Sequence, residues 1–314
     1  MADQMNTEAW QLTMRKLAYD RKRGATELVV DAVDCLLEGI AQPGLYDPSL
    51  IRKTLTTLRY EHTSMAPILN LTAEICYWLD TQDQDLDRTA LVNKMRRDIE
   101  KIRERYVTDN QQFQDKFRSL ELTGPRFGFY SWSSTVALCM NALAGIPVGA
   151  KAFVGQSIPG GEGKKTAKML AKLGWSTWLI SDTHLADMAK AGKINTLILG
   201  CDAYDDTSFV NKIGSGALAA LVKAAGQRVE IWTHESKRLN SSEIHELNLG
   251  KSEPEPPVST GIAIPTPLFG TGSLSDIDVI RTPEKDHTPE SLREQTISRP
   301  SPLPDYLKLE NRPG

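Results

Sequence analysis

The residues best placed to do chemistry in this sequence are an aspartate and a lysine at the two ends of a predicted loop region. Asp202 follows the apolar run Thr196–Leu199, and Lys212 comes just before a helix-like stretch that begins at Ser215. In an α/β sheet, ligands bind at the carboxyl ends of the strands, beside the first turns of the following helices. A carboxylate there can move protons and a lysine can hold a phosphate, although side chains at loop ends are also often simply solvated.

A second candidate is a run of hydroxyl residues at the junction between a predicted strand and a predicted helix. The apolar segment ending at Tyr130 is followed by Ser131, and Ser133, Ser134 and Thr135 stand where the helix begins. Free backbone N–H groups and hydroxyls at a helix N-terminus form an anion site without any net charge. Capping of the helix by one of these serines is the alternative explanation.

The third candidate is the glycine-rich loop 155–163, which also lies between a predicted strand and a predicted helix. Its glycines would let a phosphate-bearing ligand approach the backbone near Ser157 and Gly163, while ordinary turn chemistry is the alternative. A Walker A motif ends in Gly-Lys-Ser/Thr, whereas Gly163 and its following lysine are succeeded by Lys165. The sequence therefore does not predict a nucleoside triphosphatase.

All three candidates fall within a segment, residues 123–245, whose pattern is that of an α/β domain. Short apolar runs alternate there with helix-like stretches of about ten residues. The predicted strands are Phe127–Tyr130, Ala152–Val154, Thr177–Ile180, Thr196–Leu199 and Val229–Trp232, and the predicted helices are Thr135–Ala144, Glu162–Leu173, Thr183–Ala191 and Ser215–Ala225. Right-handed crossovers then give a mainly parallel sheet covered on both faces, a Rossmann-like layer sandwich.

The segment before this domain, residues 1–122, is predicted to be an all-helical domain. Apolar residues recur there at the spacing of one helix face, as in Leu28, Ala32, Cys35 and Leu36. A later stretch dense in charges of both signs is typical of a solvated helix with i,i+4 ion pairs.

The segment after the α/β domain, residues 246–314, has a different composition. It holds eleven of the chain's seventeen prolines, together with many Ser, Thr and Glu residues. Such a segment buries too little apolar surface to offset its ordering entropy, so this Pro-rich tail is predicted to be largely disordered. One added strand near 275–280 is the exception that the sequence allows.

The overall composition argues against several classes of partner and site. The 314 residues carry a formal net charge of -3, so no cationic surplus suggests direct binding to nucleic acid or to anionic lipid. No apolar segment reaches the roughly 20 residues of a membrane span and no targeting signal is evident, which favours a cytoplasmic protein without a membrane partner. The scattered cysteines and histidines lack metal-ligand spacing, so neither a metal nor another cofactor is predicted.

Short motifs in order along the chain resemble those of one protein family. Gln156-Ser157-Ile158-Pro159 resembles a Glu-Ser-x-Pro loop, and Gly163-Lys164-Lys165 resembles a Gly-Lys-Lys turn. Gly200-Cys201-Asp202 resembles a Gly-Ala-Asp motif, and Asn211-Lys212-Ile213-Gly214 matches the family's motif outright. In the helical part, Arg23-Gly24-Ala25 is similar to an Arg-Gly-Ala motif that helps to hold a substrate phosphate. The family comprises the alpha, beta and delta subunits of translation initiation factor 2B, methylthioribose-1-phosphate isomerase and ribose-1,5-bisphosphate isomerase.

The resemblance implies a helical N-terminal domain, a Rossmann-like C-terminal domain and a pocket between them for a phosphorylated sugar or a nucleotide. It also implies a homodimer, or a hetero-oligomer with related subunits. Together with the candidates drawn from position alone, the ligand-binding residues would be Arg23, Gly24, Ala25, Ser133, Ser134, Thr135, Ser157, Gly163, Asn211 and Lys212.

The resemblance leaves three functions open. In the isomerases, a thiol and a carboxylate move a proton between adjacent carbons of an aldose phosphate. The matching carboxylate is Asp202, the candidate catalytic residue, whereas the thiol position is Trp132, and Cys139 lies further along the next helix. This difference favours an initiation-factor-2B-like binding or regulatory protein. An aldose-ketose isomerase with altered chemistry is the alternative, and a non-binding scaffold is the third possibility.

Overall fold

The computed structural model of the chain describes residues 2–20, 25–41, 47–82, 87–143, 145–247, 267–294 and 307–308. The chain forms two compact units, one comprising Met1–Thr108 with Ile297–Gly314 and the other comprising Asp109–Thr296. We call them the helical unit and the α/β unit. Their boundary lies inside one long helix, earlier in the chain than the boundary at residue 122 that the sequence predicts.

The helical unit confirms the predicted all-helical segment. In its described residues it contains α1 (Ala2–Ala18), α2 (Ala25–Ala41), α3 (Pro48–Glu61), α4 (Ala66–Asp80) and the first part of α5 (Arg88–Arg118). Helix α3 begins where the Asp47 side chain accepts hydrogen bonds from the backbone N–H groups of Ser49 and Leu50, with Pro48 in the first turn. The apolar face of α2 is buried in the core of this unit.

The α/β unit follows the predicted alternation of strands and helices. Its elements up to residue 246 are β1 (Arg126–Phe129), α6 (Ser134–Ala142), β2 (Lys151–Gly155), α7 (Gly163–Lys172), β3 (Ser176–Ile180), α8 (Asp182–Lys190), β4 (Thr196–Leu199), β5 (Ala203–Tyr204), β6 (Ser208–Lys212), α9 (Ser215–Ala224), β7 (Arg228–Trp232) and α10 (Ser241–Glu246). Beyond residue 266 it contains β8 (Phe269–Ser273), β9 (Val279–Arg281), β10 (Asp286–His287) and α11 (Pro289–Arg293).

A mostly parallel sheet forms the centre of this unit, as the sequence predicts. Its seven strands have the order β10-β9-β7-β4-β1-β2-β3, and β9 and β10 form its antiparallel pair. All four residues of the central strand β4 are buried, which explains why that strand is a continuous apolar run in the sequence. A small antiparallel sheet of the order β5-β6-β8 stands beside the main one.

Part of the segment that the sequence assigns to a disordered tail belongs to these sheets. Within the predicted strand 275–280, the first residues are in a short 3-10 helix, Leu274–Asp276, and the strand Val279–Arg281 follows. Ile280 is fully buried and pairs with Ile231 of β7. The sequence singled out this segment as the exception within the tail, whereas it did not predict β8, β10 and α11, which are also ordered. Residues 248–266, 295–306 and 309–314 lie outside the described residues.

Three features bear on the kind of site the protein can hold. No helix in the described ranges is long and apolar enough to cross a membrane. Within those same ranges, no group of three or more His, Cys, Asp or Glu side chains is arranged to hold a metal ion. The four cysteines are buried thiols without a disulfide partner.

Candidate functional site

The predicted site residues of the α/β unit follow strands that are neighbours in the sheet. Strands β4, β1 and β2 lie side by side and run parallel, so their carboxyl ends meet at one edge. The loops leaving that edge carry Asp202 after β4, Ser133 after β1 and Ser157 after β2. The sheet therefore brings together loops that are far apart in the sequence, at the edge where α/β folds bind ligands.

Two of these loops are joined through Ser157. Its hydroxyl accepts a hydrogen bond from the Ser131 N–H at 2.7 Å and donates one to the Gly155 carbonyl at 3.1 Å. Both serines adopt a left-handed backbone, with φ of 66° at Ser131 and 65° at Ser157, which non-glycine residues rarely do. The Asp182 carboxylate accepts hydrogen bonds from the N–H groups of Ser157 and Ile158. Ser157 thus holds the loop conformation, and a direct contact of its hydroxyl with a ligand stays a prediction.

The serine run after β1 caps a helix. The Ser133 side chain accepts a hydrogen bond from the Val136 N–H and so begins α6, as the capping explanation predicts. Ser134 is exposed at the first turn, whereas Thr135 is buried. The N-terminus of α6 therefore lies at the carboxyl edge with its capping position filled from within the chain, and ligand contacts from these three residues stay predictions.

The lysine predicted to hold phosphate is buried and ion-paired. Only 4% of the Lys212 side chain is exposed, and its Nζ lies 3.0 Å from Oε1 of Glu162 in the loop before α7. Glu162 is 38% exposed, and its Oε2 is buried without a hydrogen-bond partner among the described residues. Asn211 is also buried and donates a hydrogen bond to the Ser215 hydroxyl at 3.0 Å. Strand β6 thus places an ammonium at the edge, next to a carboxylate from a different loop.

Asp202 lies within the electrostatic reach of the same cluster. Burial raises the pKa of its carboxyl group, Glu162 raises it further, and the ammonium groups of Lys237 and Lys212 oppose the rise. The Asp202 N–H donates to the Val210 carbonyl at 2.8 Å, which fixes the start of the loop. A carboxyl group with a raised pKa, flanked by lysines, is suited to exchanging a proton with a bound ligand.

The site residues predicted from the sequence did not include two members of this cluster, Lys237 and Glu162. Lys237 is buried, and its Nζ donates a hydrogen bond to the Cys201 carbonyl at 2.6 Å. The sequence feature that could have indicated Lys237 is the His-Glu-Ser-Lys segment that follows β7. Because β7 runs parallel to β4, this segment lies at the same edge of the sheet as the other candidates. Glu162 lies fifty residues before Lys212, and the one hint of its role was its place in the glycine-rich loop.

The position that resembles the isomerases' thiol is occupied by an aromatic ring covered by a lysine. The Lys165 Nζ lies 3.8 Å from the centre of the Trp132 ring, a close cation-π contact. Cys139, the next thiol along the chain, is fully buried, and burial raises its pKa above the usual range for cysteine. Neither residue supplies a thiolate to the carboxyl edge.

The predicted phosphate contacts in the helical unit stay untested. Arg23 and Gly24 lie outside the described residues, and Ala25 is the first residue of α2. Their participation in ligand binding therefore remains a prediction from the Arg-Gly-Ala resemblance.

We expect Asp202→Asn to raise the thermal stability of the ligand-free protein at neutral pH. The folded pKa of Asp202 is raised, so the stabilisation that comes with its protonated form is lost as the pH rises through that pKa. Asparagine carries no charge, so the advantage of the variant should be largest at neutral pH and should vanish below the ordinary aspartate pKa of 3.8. Melting temperatures of both proteins across this pH range test the expectation, and a gap independent of pH would contradict it.

Several solved structures share this fold. A translation initiation factor eIF-2B of Pyrococcus horikoshii OT3 matches with 18% identity and a TM-score of 0.66, over 90% of this chain and 98% of that chain. The tetrameric eIF2B-beta2-delta2 complex of C. thermophilum matches with 14% identity and a TM-score of 0.67, over 93% of both chains. The 5-methylthioribose 1-phosphate isomerase of P. horikoshii OT3 matches with 16% identity and a TM-score of 0.64, over 90% of this chain and 85% of that chain. Identities this low show a shared fold alone.

The comparison of sequences gives the family. No curated protein sequence matches the chain significantly. The sequence pattern of the Initiation factor 2 subunit family matches residues 22–237, which is more than half of the chain. This match includes the glycine-rich loop and the Asn-Lys-Ile-Gly motif around Lys212, and it places the chain in the Initiation factor 2 subunit family.

Proposed function

We propose that this chain is a regulatory or binding protein that holds a phosphorylated sugar or a nucleotide at the carboxyl edge of its sheet. The observation that carries the proposal is the buried ammonium of Lys212, paired with the partly exposed Glu162. A buried lysine requires a negative partner, since an unpaired ammonium inside a protein is strongly unfavourable. A phosphate group, with a charge of about -1.5 to -2 at neutral pH, meets that requirement more fully than one carboxylate does.

In this proposal, the Glu162 carboxylate pairs with Lys212 in the ligand-free protein, at the position that the phosphate of the ligand would take. Its Oε1 contacts Lys212, while its Oε2 has no hydrogen-bond partner among the described residues. The glutamate stands in a loop with left-handed glycines at 160 and 161, which ordinary side chains would not allow. A phosphate that replaces the carboxylate would therefore have to displace the Glu162 side chain, which this glycine-containing loop carries.

We expect Lys212→Met to abolish most of the affinity for a phosphorylated ligand. The change removes a charged hydrogen bond worth about 1.5–3 kcal/mol, or roughly a 10- to 100-fold loss in affinity. The measurement is a thermal-shift screen of pentose phosphates and nucleoside monophosphates, in which a ligand at 100 times its dissociation constant adds about 2.7 kcal/mol. Lys168→Met, at an exposed position on α7, is the matched control and should bind as the unchanged protein does.

Replacing the competing carboxylate gives the opposite expectation. Glu162→Gln keeps the shape of the side chain but removes the charge that a phosphate must displace, so binding should become tighter. If no ligand stabilises the unchanged protein, or if Lys212→Met binds as well as Lys168→Met, the proposed site is wrong. The scaffold interpretation would then be favoured.

A second candidate function is isomerisation of an aldose phosphate to a ketose phosphate. The raised pKa of Asp202 favours it, because a carboxyl group that holds its proton more readily than usual is better suited to act as an acid as well as a base. The position of Trp132 argues against the two-residue mechanism of the isomerases. Turnover of a bound pentose phosphate that disappears in Asp202→Asn, while binding persists, would establish this second function.

We further propose that the chain assembles with itself or with related subunits in the cytoplasm and acts in translation initiation. The fold is shared with the subunits of a tetrameric complex, and the family includes initiation-factor subunits. The mass of the purified protein in solution tests the first part of this proposal.

A further inference from the structure

The core of the helical unit contains a residue from the far end of the chain. Leu307 is fully buried in the hydrophobic cluster that also contains Leu55, Leu58 and Ile68 of α3 and α4. The chain leaves the last helix of the α/β unit at Arg293, so a segment beyond that helix ends in the other unit. A leucine inserted in this way is a hydrophobic anchor.

Two neighbouring side chains of α3 hold the backbone around this leucine. Arg59 is fully buried, and its Nε donates a hydrogen bond to the Leu307 carbonyl at 2.7 Å, across 248 residues of sequence. Its Nη1 donates to the Leu69 carbonyl at 2.7 Å, which fixes the orientation of the guanidinium. The Tyr60 hydroxyl donates to the Lys308 carbonyl at 3.0 Å. Together these contacts recognise an apolar side chain and two successive carbonyl groups.

This arrangement has the properties of a peptide-binding site. Buried arginines are rare in helical cores because their charge requires several acceptors, and here one of those acceptors comes from the distant C-terminal segment. The polar contacts go to backbone carbonyls, which any peptide of the same conformation offers, and the leucine side chain supplies the selectivity. None of these residues belongs to the candidate phosphate site of the α/β unit.

We propose that the helical unit contains a peptide-binding socket, formed around Arg59 and Tyr60, whose occupant is the C-terminal segment of this chain centred on Leu307. The segment is held by non-covalent contacts and is tethered to the α/β unit through residues 295–306. Tethering gives it an effective concentration on the order of millimolar, so the socket is normally filled by its own chain. Release of the segment opens the socket without unfolding the helices.

The test uses the full chain with Leu307→Asp, in which the tethered segment can no longer fill the socket. A fluorescent peptide of residues 301–314 should bind this variant saturably, as measured by fluorescence anisotropy. The unchanged protein should bind the same peptide at least about tenfold more weakly, because the tethered segment competes with it. Equal binding to both proteins, or no binding to a folded Leu307→Asp chain, would overturn the proposal.

Control peptides and a Tyr60 variant distinguish specific recognition of the C-terminal peptide from nonspecific binding. A peptide carrying Leu307→Asp and a scrambled peptide of the same composition should not bind. Tyr60→Phe, placed in the Leu307→Asp chain, removes the hydroxyl that contacts the Lys308 carbonyl and keeps the ring, so it should weaken the peptide several-fold. The proposed socket would be contradicted if either altered peptide bound as well as the original peptide, or if the Tyr60→Phe protein bound the original peptide without loss of affinity.

A measurement on the unchanged protein covers the case in which Leu307→Asp fails to fold. Hydrogen exchange of the C-terminal segment is followed while isotopically labelled peptide 301–314 is added at millimolar concentration. Displacement of the tethered segment should raise its exchange rate several-fold, and the scrambled peptide should leave the rate unchanged. An exchange rate that the specific peptide does not alter would count against the proposal.

Discussion

Arg281→Met is expected to lower the free energy of unfolding by about 3 kcal/mol, because it leaves a buried carboxylate without its main partner. The Arg281 guanidinium binds Glu230 through two hydrogen bonds, Nε to Oε2 at 2.6 Å and Nη2 to Oε1 at 3.0 Å. Glu230 is 3% exposed on β7, inside the sheet. The Trp232 indole also donates to it, at 2.9 Å, but an indole carries no charge. Urea denaturation of the two proteins measures the difference.

The chain offers a matched control for this change. Arg228 contacts the same glutamate, with Nε 2.6 Å from Oε1, but its side chain is 45% exposed, against 10% for Arg281. An exposed ion pair contributes about 0–1 kcal/mol, so Arg228→Met should cost far less than Arg281→Met. Equal losses in the two variants would show that burial of the pair is not what makes Arg281 important.

The pH dependence of the Arg281 effect follows from the same contacts. Burial alone would raise the pKa of Glu230, but the hydrogen bonds and charge of Arg281, together with hydrogen bonds from Trp232 and Arg228, lower it below the ordinary value of 4.5. A lowered folded pKa stabilises the protein above the unfolded value, and this stabilisation is lost as the pH falls through the folded pKa. The difference between Arg281→Met and the unchanged protein should therefore be full at neutral pH and should narrow below about pH 4.5.

Arg281 belongs to a part of the chain that the sequence predicted to be largely disordered, with one possible strand near 275–280. Strand β9 is three residues long and pairs in parallel with β7, so its pairing depends on partners about fifty residues earlier. The Asp278 carboxylate, which accepts the Val229 N–H at 2.8 Å, helps to fix this register. The local composition reflects the prolines of the tail but carries no information about hydrogen-bond partners on β7, about fifty residues earlier. This is why the tail was predicted to be largely disordered.

The main sheet was predictable because its strands have a local pattern in the sequence. Strands such as β4 are buried along their whole length, so they appear as short continuous apolar runs separated by amphipathic helices. The predicted order of strands and helices from Phe127 to Trp232 is accordingly found in the structure. The position of Asp202 after β4 followed from that alternation alone.

The detailed contacts of the candidate site were not predictable in the same way. The sequence placed Lys212 just before a helix, and the structure adds the short strand β6, in which it is the last residue. Its partner Glu162 comes from another loop, and Lys237 from the turn after β7. Such pairs depend on how three loops converge in space, which neither spacing nor composition encodes.

Gly163→Ala is the second change expected to destabilise the protein strongly, although helix propensity alone predicts that alanine would stabilise it. Gly163 is the first residue of α7, and alanine favours a helix over glycine by about 1 kcal/mol. A Cβ at this position would lie 1.8 Å from the Gly155 carbonyl oxygen at the end of β2. Gly155 pairs with Ile180 of β3, and the preceding Val154 also pairs with β1, so that oxygen cannot move away without disturbing the sheet.

The expected outcome is a loss of about 2–3 kcal/mol in the free energy of unfolding, since overpacking of this kind usually costs 1–3 kcal/mol or more. Phosphate binding should change as well, because the loop that carries Glu162, the proposed competitor for Lys212, directly precedes the displaced residue. Gly145→Ala is the matched control, since a Cβ there meets no atom within 4 Å, and it should leave the melting temperature unchanged or slightly higher. Equal melting temperatures for Gly163→Ala and Gly145→Ala would contradict this expectation. They would show that α7 does not pack against the end of β2 as closely as the structure indicates, and that Gly163 does not fix the position of the loop.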